Sequence, residues 1–195
     1  VDNQYDLVII GLGTAGLTAG LFGARHGLKT IGLERLAPGG QIVNAERIEN
    51  FPGITEGILG AEFGANLLEQ ATAAGMEFQM AEVTSLSLDE PYRLVSTDSG
   101  DYMAKAVIVA AGSSLKSLGI HGEKEFLGKG VSNCATCDGP LFQDQVVAVV
   151  GGGDSAPDEA EVLTQFASQV ILVHRGDALR AQKALQDRVL SLDKV

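Results

Sequence analysis

Residues 5–16 read Tyr-Asp-Leu-Val-Ile-Ile-Gly-Leu-Gly-Thr-Ala-Gly, and this stretch decides the fold. Its first half is an apolar, β-branched run that predicts a buried parallel strand. Its second half, Gly11-Leu-Gly13-Thr-Ala-Gly16, matches the G-x-G-x-x-G fingerprint found between a strand and a helix. Helical spacing over residues 14–26 and a second apolar run at residues 29–33 complete a β-α-β order. This order predicts a unit that binds a dinucleotide.

Each glycine of the fingerprint has a physical task. The first permits a tight turn, the second lets the backbone approach a pyrophosphate, and the third lets the helix pack against the strand. Glu34 ends the second strand, where a carboxylate accepts hydrogen bonds from ribose hydroxyls and repels a 2′-phosphate. The first site is therefore predicted to hold FAD or NAD rather than NADP. An ordinary glycine turn is the alternative, which the strand, helix and acid together disfavour.

The same order recurs in the second half of the chain. Strand patterns at residues 146–150 and 170–173 flank a helical pattern at residues 154–167. Between the first strand and the helix lies Gly151-Gly-Gly153-Asp-Ser-Ala156, with Ala in the place of the third glycine. This segment predicts a second dinucleotide-binding unit.

The two units have the same internal spacing. The interval from Gly11 to Glu34 equals the interval from Gly151 to His174. Such a repeat indicates an internal duplication, and we place the boundary between the copies near residues 113–116.

Basic residues stand where the first unit has its acid. His174 and Arg175 take the place of Glu34, and Arg180 follows shortly after. Replacing the ribose-binding acid by cationic groups lets such a site accept a 2′-phosphate, so this unit is predicted to bind NADPH. The alternative is that His174 and Arg175 are only a solvated strand end.

Residues 82–109 contain three short strand patterns separated by turn clusters at residues 89–91 and 98–100, a small β-meander. The predicted fold class is α/β, with two Rossmann-like units in three layers and the meander in the first. We assign residues 1–115 to an FAD-binding domain and residues 116–195 to an NAD(P)-binding domain that is incomplete at its end.

The chain has two cysteines, Cys134 and Cys137, in the tetrad Cys-Ala-Thr-Cys, and Asp138 follows at once. Thiols at this spacing form a readily reduced disulfide, and a thiol that starts a helix has a lowered pKa. Asp138 is placed to act as acid or base toward a leaving thiol. Half of a zinc site is one alternative, disfavoured because none of the three histidines has ligand spacing. Two inert buried thiols are the other alternative.

Bulk properties exclude several classes of partner. A net charge of −11 argues against nucleic acid and anionic membranes, which bind basic faces. No apolar run approaches the ~20 residues that span a bilayer. The first residues lead directly into a strand, so no signal peptide is expected. Two cysteines at catalytic spacing fit a reducing cytoplasm.

The ordered set of motifs resembles low-molecular-weight thioredoxin reductases over essentially the whole chain. The motifs that carry this resemblance are Gly11-Leu-Gly-Thr-Ala-Gly16, Gly39-Gly-Gln41, Glu49-Asn-Phe-Pro-Gly53, Ala110-Ala-Gly112, Cys134-Ala-Thr-Cys-Asp138, Gly151-Gly-Gly-Asp-Ser-Ala156 and His174-Arg175.

The resemblance implies a set of roles. Electrons would pass from NADPH to FAD, then to the cysteine pair and to thioredoxin, in a homodimer. Cys137 would lie beside the flavin, Cys134 would attack the disulfide of the partner protein, and Asp138 would be the acid–base residue. FAD would contact Gly11, Gly13, Thr14, Ala15, Gly16, Glu34, Arg35, Gly40, Gln41, Asn50, Val83, Ala110, Ala111 and Gly112. NADPH would contact Gly151, Gly153, Asp154, Ser155, Ala156, His174, Arg175 and Arg180.

The chain departs from the family pattern at two places. Gly176 stands where the family usually has a second arginine, so NADH is a conceivable donor. The chain also ends at Val195, inside the expected nucleotide domain. These departures keep three alternatives open: a flavin dithiol oxidase, a reductase fed by ferredoxin, and an inactive flavoprotein fragment.

Overall fold

The structure, a computed structural model, describes residues 3–88 and 91–195. The predicted turn at residues 89–91 lies mostly outside these described residues. The chain divides into two units, Val1–Ser114 and Leu115–Val195, called the first and second unit below. Each unit contains one glycine loop, and the cofactor assigned to each stays a prediction.

The first unit is built on a six-stranded mixed sheet with the strand order β3-β2-β1-β6-β5-β4. Strands β3, β2, β1 and β6 run parallel, and β6, β5 and β4 form the predicted antiparallel meander. The strands are β1 (Gln4–Ile10), β2 (Thr30–Glu34), β3 (Glu77–Met80), β4 (Val83–Ser87), β5 (Arg93–Thr97) and β6 (Gly100–Val109). The helices are α1 (Thr14–Arg25), α2 (Gly60–Ala73) and a short 3₁₀ helix, Gly40–Asn44.

Strand β1 is covered on both faces. Leu7 and Ile9 point into a core formed with α1 and α2, whereas Val8 and Ile10 point into a core formed with the meander. The long strand β6 makes this possible, because its first part pairs with β5 and its second part with β1. Helices, parallel sheet and meander thus form three layers, and the predicted α/β class is confirmed.

Helix α2 and strand β3 were not predicted from the sequence. The first residue of α2 lacks a capping signal, because its N-cap is Leu59 and no side chain caps it. Its buried face is nevertheless readable, since Phe63, Leu67 and Ala71 recur at intervals of one helical turn and pack toward the core. This spacing is the signal that could have identified α2.

The second unit contains a parallel pair of strands, β7 and β8, packed against helices. Its core cluster includes Ala160, Ala167, Val170 and Val189. The elements are α3 (Ala135–Asp138), a 3₁₀ helix (Gly139–Phe142), β7 (Val146–Val150), α4 (Ser155–Leu163), β8 (Gln169–Val173) and α5 (Lys183–Leu190).

The helix predicted over residues 154–167 is shorter than expected. Helix α4 ends at Leu163. Beyond it, two backbone amides bond three residues back, Gln165 N to Val162 O at 3.1 Å and Phe166 N to Leu163 O at 3.0 Å. A tightened last turn of this kind closes a helix when no residue continues the α-helical ladder.

The strand pairing confirms the internal duplication. Leu7 lies opposite Thr30 in the first unit, and Val146 lies opposite Gln169 in the second, which is the same offset along the chain. The first loop glycine is held in the same way in both units. Its amide donates to a carbonyl near the end of the neighbouring strand, from Gly11 N to Leu33 O of β2 at 2.8 Å and from Gly151 N to Val173 O of β8 at 2.9 Å.

Candidate functional site

In the first loop, packing requires glycine at positions 11 and 16, whereas Gly13 has open space around it. A Cβ on Gly11, whose φ is +93°, would lie 2.4 Å from Ala110 O. A Cβ on Gly16 would lie 1.8 Å from Gly11 O, because α1 packs closely against the end of β1. A Cβ on Gly13 would meet nothing nearer than Gly40 Cα at 3.9 Å. The backbone at Gly13 is therefore accessible to a ligand at the N-terminus of α1.

The Glu34 carboxylate is held beside this loop. One oxygen accepts a hydrogen bond from Leu12 N at 2.8 Å, and the other accepts one from Leu36 N at 3.1 Å. Each carboxylate oxygen has capacity for a further donor. The adjacent Arg35 guanidinium lies 3.7 Å from the Glu82 carboxylate, and both side chains are exposed.

Other predicted contacts of the first site gather around the same loop. Gly39 N donates to Leu12 O at 2.7 Å, and a Cβ on the following Gly40 would lie 2.9 Å from Gly13 Cα. From the end of β6, Ala110 N donates to Ile10 O at 2.7 Å. The fold thus joins three segments distant in sequence: the first loop, Gly39-Gly40 and residues 110–112.

The remaining predicted residues differ in placement. The Gln41 amide donates to Ser113 O, so it reaches the segment that contains Ala111 and Gly112. Thr14 and Ala15 open helix α1. Asn50 is exposed on a loop, and the Val83 side chain packs against the core on the meander side. The side chain of Val83 therefore has a packing role.

The second loop also leaves one glycine open. A Cβ on Gly151 would lie 2.9 Å from Ala156 Cβ, which packs in the place of the third glycine, whereas a Cβ on Gly153 would meet nothing within 4 Å. Ser155 is the first residue of α4, and Pro157 lies in its first turn, where a missing amide is tolerated. The open backbone again faces a helix N-terminus.

A downstream segment closes onto the second loop. Arg180 N and Ala181 N donate to Gly152 O at 2.6 and 3.1 Å. Gln182 donates to the Asp154 carboxylate through its backbone N at 2.8 Å and its side-chain Nε2 at 2.9 Å. The Gln182 side chain and amide lower the pKa of Asp154 below its ordinary value. Sequence reasoning missed Gln182, because no local pattern marks it as a partner of the loop.

These contacts place Arg180 at the second loop. His174 follows β8 directly and packs near Gly152, with 3.3 Å between its Cβ and a Cβ on that glycine. Arg175 and Arg180 are exposed. Over residues 3–88 and 91–195, no carboxylate forms an ion pair with either arginine. Their charge is available to an anion at the loop.

Cys134 and Cys137 form a disulfide across the start of α3, with Cα atoms 5.3 Å apart. Cys134 is the N-cap residue, and its Sγ accepts a hydrogen bond from Cys137 N at 3.2 Å. Asp138 N donates to Cys134 O at 3.1 Å. The alternative of two inert buried thiols is therefore wrong, because the pair forms a disulfide and Cys137 is exposed.

A carboxylate that sequence reasoning missed contacts this helix. Glu159, on α4, accepts a hydrogen bond from Ala135 N, the amide that follows Cys134. Burial raises the pKa of Glu159, the bond from Ala135 lowers it, and the charge of Asp158 raises it. The net effect is a pKa above the ordinary value of 4.5. In the sequence, the only signal for Glu159 is its position about one and a half turns into the helix predicted over residues 154–167.

Two further classes of site are absent from the described part of the chain. None of its helices is long and apolar enough to cross a membrane. The same residues contain no cluster of three or more His, Cys, Asp or Glu side chains arranged to hold a metal ion.

Two dinucleotide-type loops and a Cys-x-x-Cys disulfide in one chain define a class of redox protein. Residues 5–192 match the family model described as Pyridine nucleotide-disulphide oxidoreductase. The chain therefore belongs to the pyridine nucleotide-disulphide oxidoreductase family.

Within that family, the chain is similar to thioredoxin reductases. It is 47% identical to the thioredoxin reductase of Bacillus subtilis (strain 168) over 191 residues, which is 98% of this chain and 60% of the relative. It superposes on Lactococcus lactis thioredoxin reductase with a TM-score of 0.93 and 43% identity, covering 97% of this chain and 62% of the other. For T. acidophilum thioredoxin reductase the TM-score is 0.90 at 30% identity, covering 96% and 62%. The resemblance inferred from the motifs is confirmed, and the chain spans about 60% of these relatives' length.

We expect Gly16→Ala to destabilise the first unit by about 2 kcal/mol or more, because the new methyl group collides with the Gly11 carbonyl. Gly13→Ala is the matched control. Its φ of −71° suits alanine and its Cβ has room, so stability should change by less than about 0.5 kcal/mol. The chain has three tyrosines, Tyr5, Tyr92 and Tyr102, all in the first unit, and no tryptophan, so tyrosine fluorescence during urea unfolding reports this unit. Equal losses in both variants would contradict the packing argument.

We expect Gln182→Ala to raise the pKa of Asp154 toward its ordinary value of 3.8, because one of the two donors is lost. The native contact favours the ionised form. The contribution of this contact to folded-state stability is therefore complete above the ordinary pKa of Asp154. It is lost as the pH falls through the lowered pKa of the folded state. Carboxyl NMR shifts recorded against pH measure the change. Gln165→Ala, at an exposed position past the other end of α4, should leave the Asp154 titration unaltered.

Proposed function

We propose that this protein is a flavoprotein disulfide reductase that passes electrons from NADPH, through FAD and the Cys134–Cys137 pair, to thioredoxin. The disulfide of the Cys-x-x-Cys tetrad, in a chain with two open glycine loops, is the observation that carries the proposal. The similarity to thioredoxin reductases over 98% of this chain supports it. A homodimer belongs to the proposal through the resemblance alone, and a cytoplasmic location through the two cysteines at catalytic spacing.

The residues around the first loop fit FAD. Gly13 leaves its backbone open at the N-terminus of α1, where a pyrophosphate is stabilised by amides and the helix dipole. The fixed Glu34 carboxylate can accept hydrogen bonds from ribose hydroxyls. Gly40 and residues 110–112 lie against the loop and would line the remainder of the cofactor. When bound, FAD would supply the redox chemistry that couples a two-electron hydride donor to the reduction of a disulfide.

The residues around the second loop fit an anionic dinucleotide. Gly153 leaves an open backbone at the start of α4, and the segment from Arg180 to Gln182 is bonded to the loop. Arg175 and Arg180 would bind a 2′-phosphate. The Asp154 carboxylate adds a negative charge at the same place, and Gln182 donates two hydrogen bonds to it. NADPH is the proposed donor, with NADH as its competitor.

The dithiol supplies the disulfide exchange. After reduction, the Cys134 thiolate attacks one sulfur of the partner's disulfide and breaks that bond, and Asp138 gives a proton to the sulfur that leaves. The Cys137 thiolate then attacks Cys134 Sγ, which re-forms the disulfide and releases the partner as a dithiol. The pair loses two electrons and the partner gains two.

The chain loaded with FAD and mixed anaerobically with NADPH tests this proposal. We expect the visible flavin band to bleach and both cysteines to become alkylatable, detected as a mass shift. Cys137→Ser should still bleach but form no new thiol, because its single cysteine has no disulfide to reduce. Failure of the chain to bind FAD would favour the alternative that it is an inactive flavoprotein fragment. Bound flavin that NADPH leaves oxidised would exclude this donor.

Gly176 is the observation that favours a second candidate, a dithiol oxidase or a reductase fed by ferredoxin. The family's second arginine is missing there, which removes one charged contact for a 2′-phosphate. A Cβ at this position would have its nearest neighbour, Ala178 O, at 3.6 Å, so a longer side chain fits without collision.

We expect Gly176→Arg to raise the preference for NADPH over NADH by about tenfold, since one charged phosphate contact contributes roughly 1.5 kcal/mol. The measurement is the dissociation constant for each dinucleotide. Gln165→Arg adds the same charge past the opposite end of α4 and serves as the control. An equal gain for both dinucleotides, or for both variants, would mean that the arginine does not recognise the 2′-phosphate.

A further inference from the structure

Glu159 is a carboxylate that joins the nucleotide-loop helix α4 to the segment containing the redox disulfide. It lies on α4, five residues after Asp154, and accepts a hydrogen bond from Ala135 N. Ala135 is the first residue of α3 and is bonded to Cys134 through their shared peptide. The carboxylate therefore sits one peptide unit from the half-buried cysteine of the pair.

We propose that Glu159 is a positioning residue of the redox pair: it ties the first turn of α3 to α4, and its negative charge disfavours the thiolate of Cys134. This inference deepens the proposed function at the same disulfide. It concerns the reduced form of the Cys134–Cys137 pair. In this form the pair has gained two electrons, the Sγ–Sγ bond has broken and the protons are shared between the two sulfurs.

The positioning argument starts from the free amides of a short helix. An N-cap thiolate is stabilised by the amides of the first turn, which lowers the pKa of the thiol. Here Cys137 N already points to Cys134 Sγ at 3.2 Å. Ala135 N is engaged by Glu159 instead, so this donor does not serve the sulfur. Glu159 thus sets which amide the thiolate can use.

The electrostatic argument concerns the charge that Glu159 carries. Two anions close together in a half-buried site disfavour each other's ionisation. The burial that raises the pKa of Glu159 also reduces the screening of its charge by water. An ionised Glu159 should therefore raise the pKa of the Cys134 thiol.

Other charges around α4 have different partners or positions. Asp158, its neighbour on α4, pairs with Arg188 on α5 at 3.4 Å, and Arg188 also pairs with Glu161 at 2.7 Å. Lys183 pairs with Asp187 within α5. Asp138 and the two cysteines are the titratable groups of the α3 segment, and strands β7 and β8 carry none. The bond from Ala135 therefore distinguishes Glu159 from the other acids of α4.

The test measures the thiolate of Cys134 directly. In the full chain carrying Cys137→Ser, the rate of iodoacetamide alkylation against pH gives the pKa of the single thiol. We expect Glu159→Gln to lower this pKa by about one unit, which is about tenfold more thiolate below both values. Gln keeps the shape and an acceptor for Ala135 N, so the fold should persist, as checked by circular dichroism.

Two more variants separate charge from contact. Glu159→Ala removes both the charge and the acceptor and should also lower the thiol pKa. Glu125→Gln, at an exposed position in the same unit, removes an equal charge and should leave it unaltered. An unchanged or raised pKa in Glu159→Gln would overturn the proposal, as would a shift seen only in Glu159→Ala. The assay uses neither FAD nor NADPH, so its failure is distinct from failure of the proposed electron transfer.

Discussion

The approach of α1 to the end of β1 is the constraint on which the first site depends. The Gly11 carbonyl lies where a side chain at residue 16 would begin, so the helix can start there only with glycine. This contact directs the N-terminus of α1 to the open backbone at Gly13. The neighbouring segments at Gly40 and Ala110 then close around the same loop.

The second unit repeats the constraint in a relaxed form. Ala156 occupies the place of the third glycine, and a Cβ on Gly151 would contact its Cβ at 2.9 Å rather than a carbonyl. The strand register and the amide bond of the first loop glycine are the same in both units. What differs is the charge beside each loop: Glu34 is fixed by two amides in the first, and exposed arginines flank the second. One backbone design thus serves two different anionic ligands in the proposed function.

Helix α4 contributes to both chemical features of the second unit. Asp154, just before its start, holds Gln182 at the glycine loop. Glu159, on the following turn, holds Ala135 beside the disulfide. The same helix therefore carries both contacts, one at its N-cap residue and one in its second turn.

The sequence by itself determined the two β-α-β units, their common spacing and the disulfide expected of the Cys-x-x-Cys pair. Strand runs, glycine loops and thiol spacing are all local patterns. It left out α2, which starts without a capping signal at Leu59, and it extended α4 past Leu163. The pairing of β6 with β1, the bond from Gln182 to Asp154 and the bond from Ala135 to Glu159 were decided only by the tertiary structure. Each joins groups far apart in the chain, and such contacts depend on how whole elements pack rather than on the spacing of neighbouring residues.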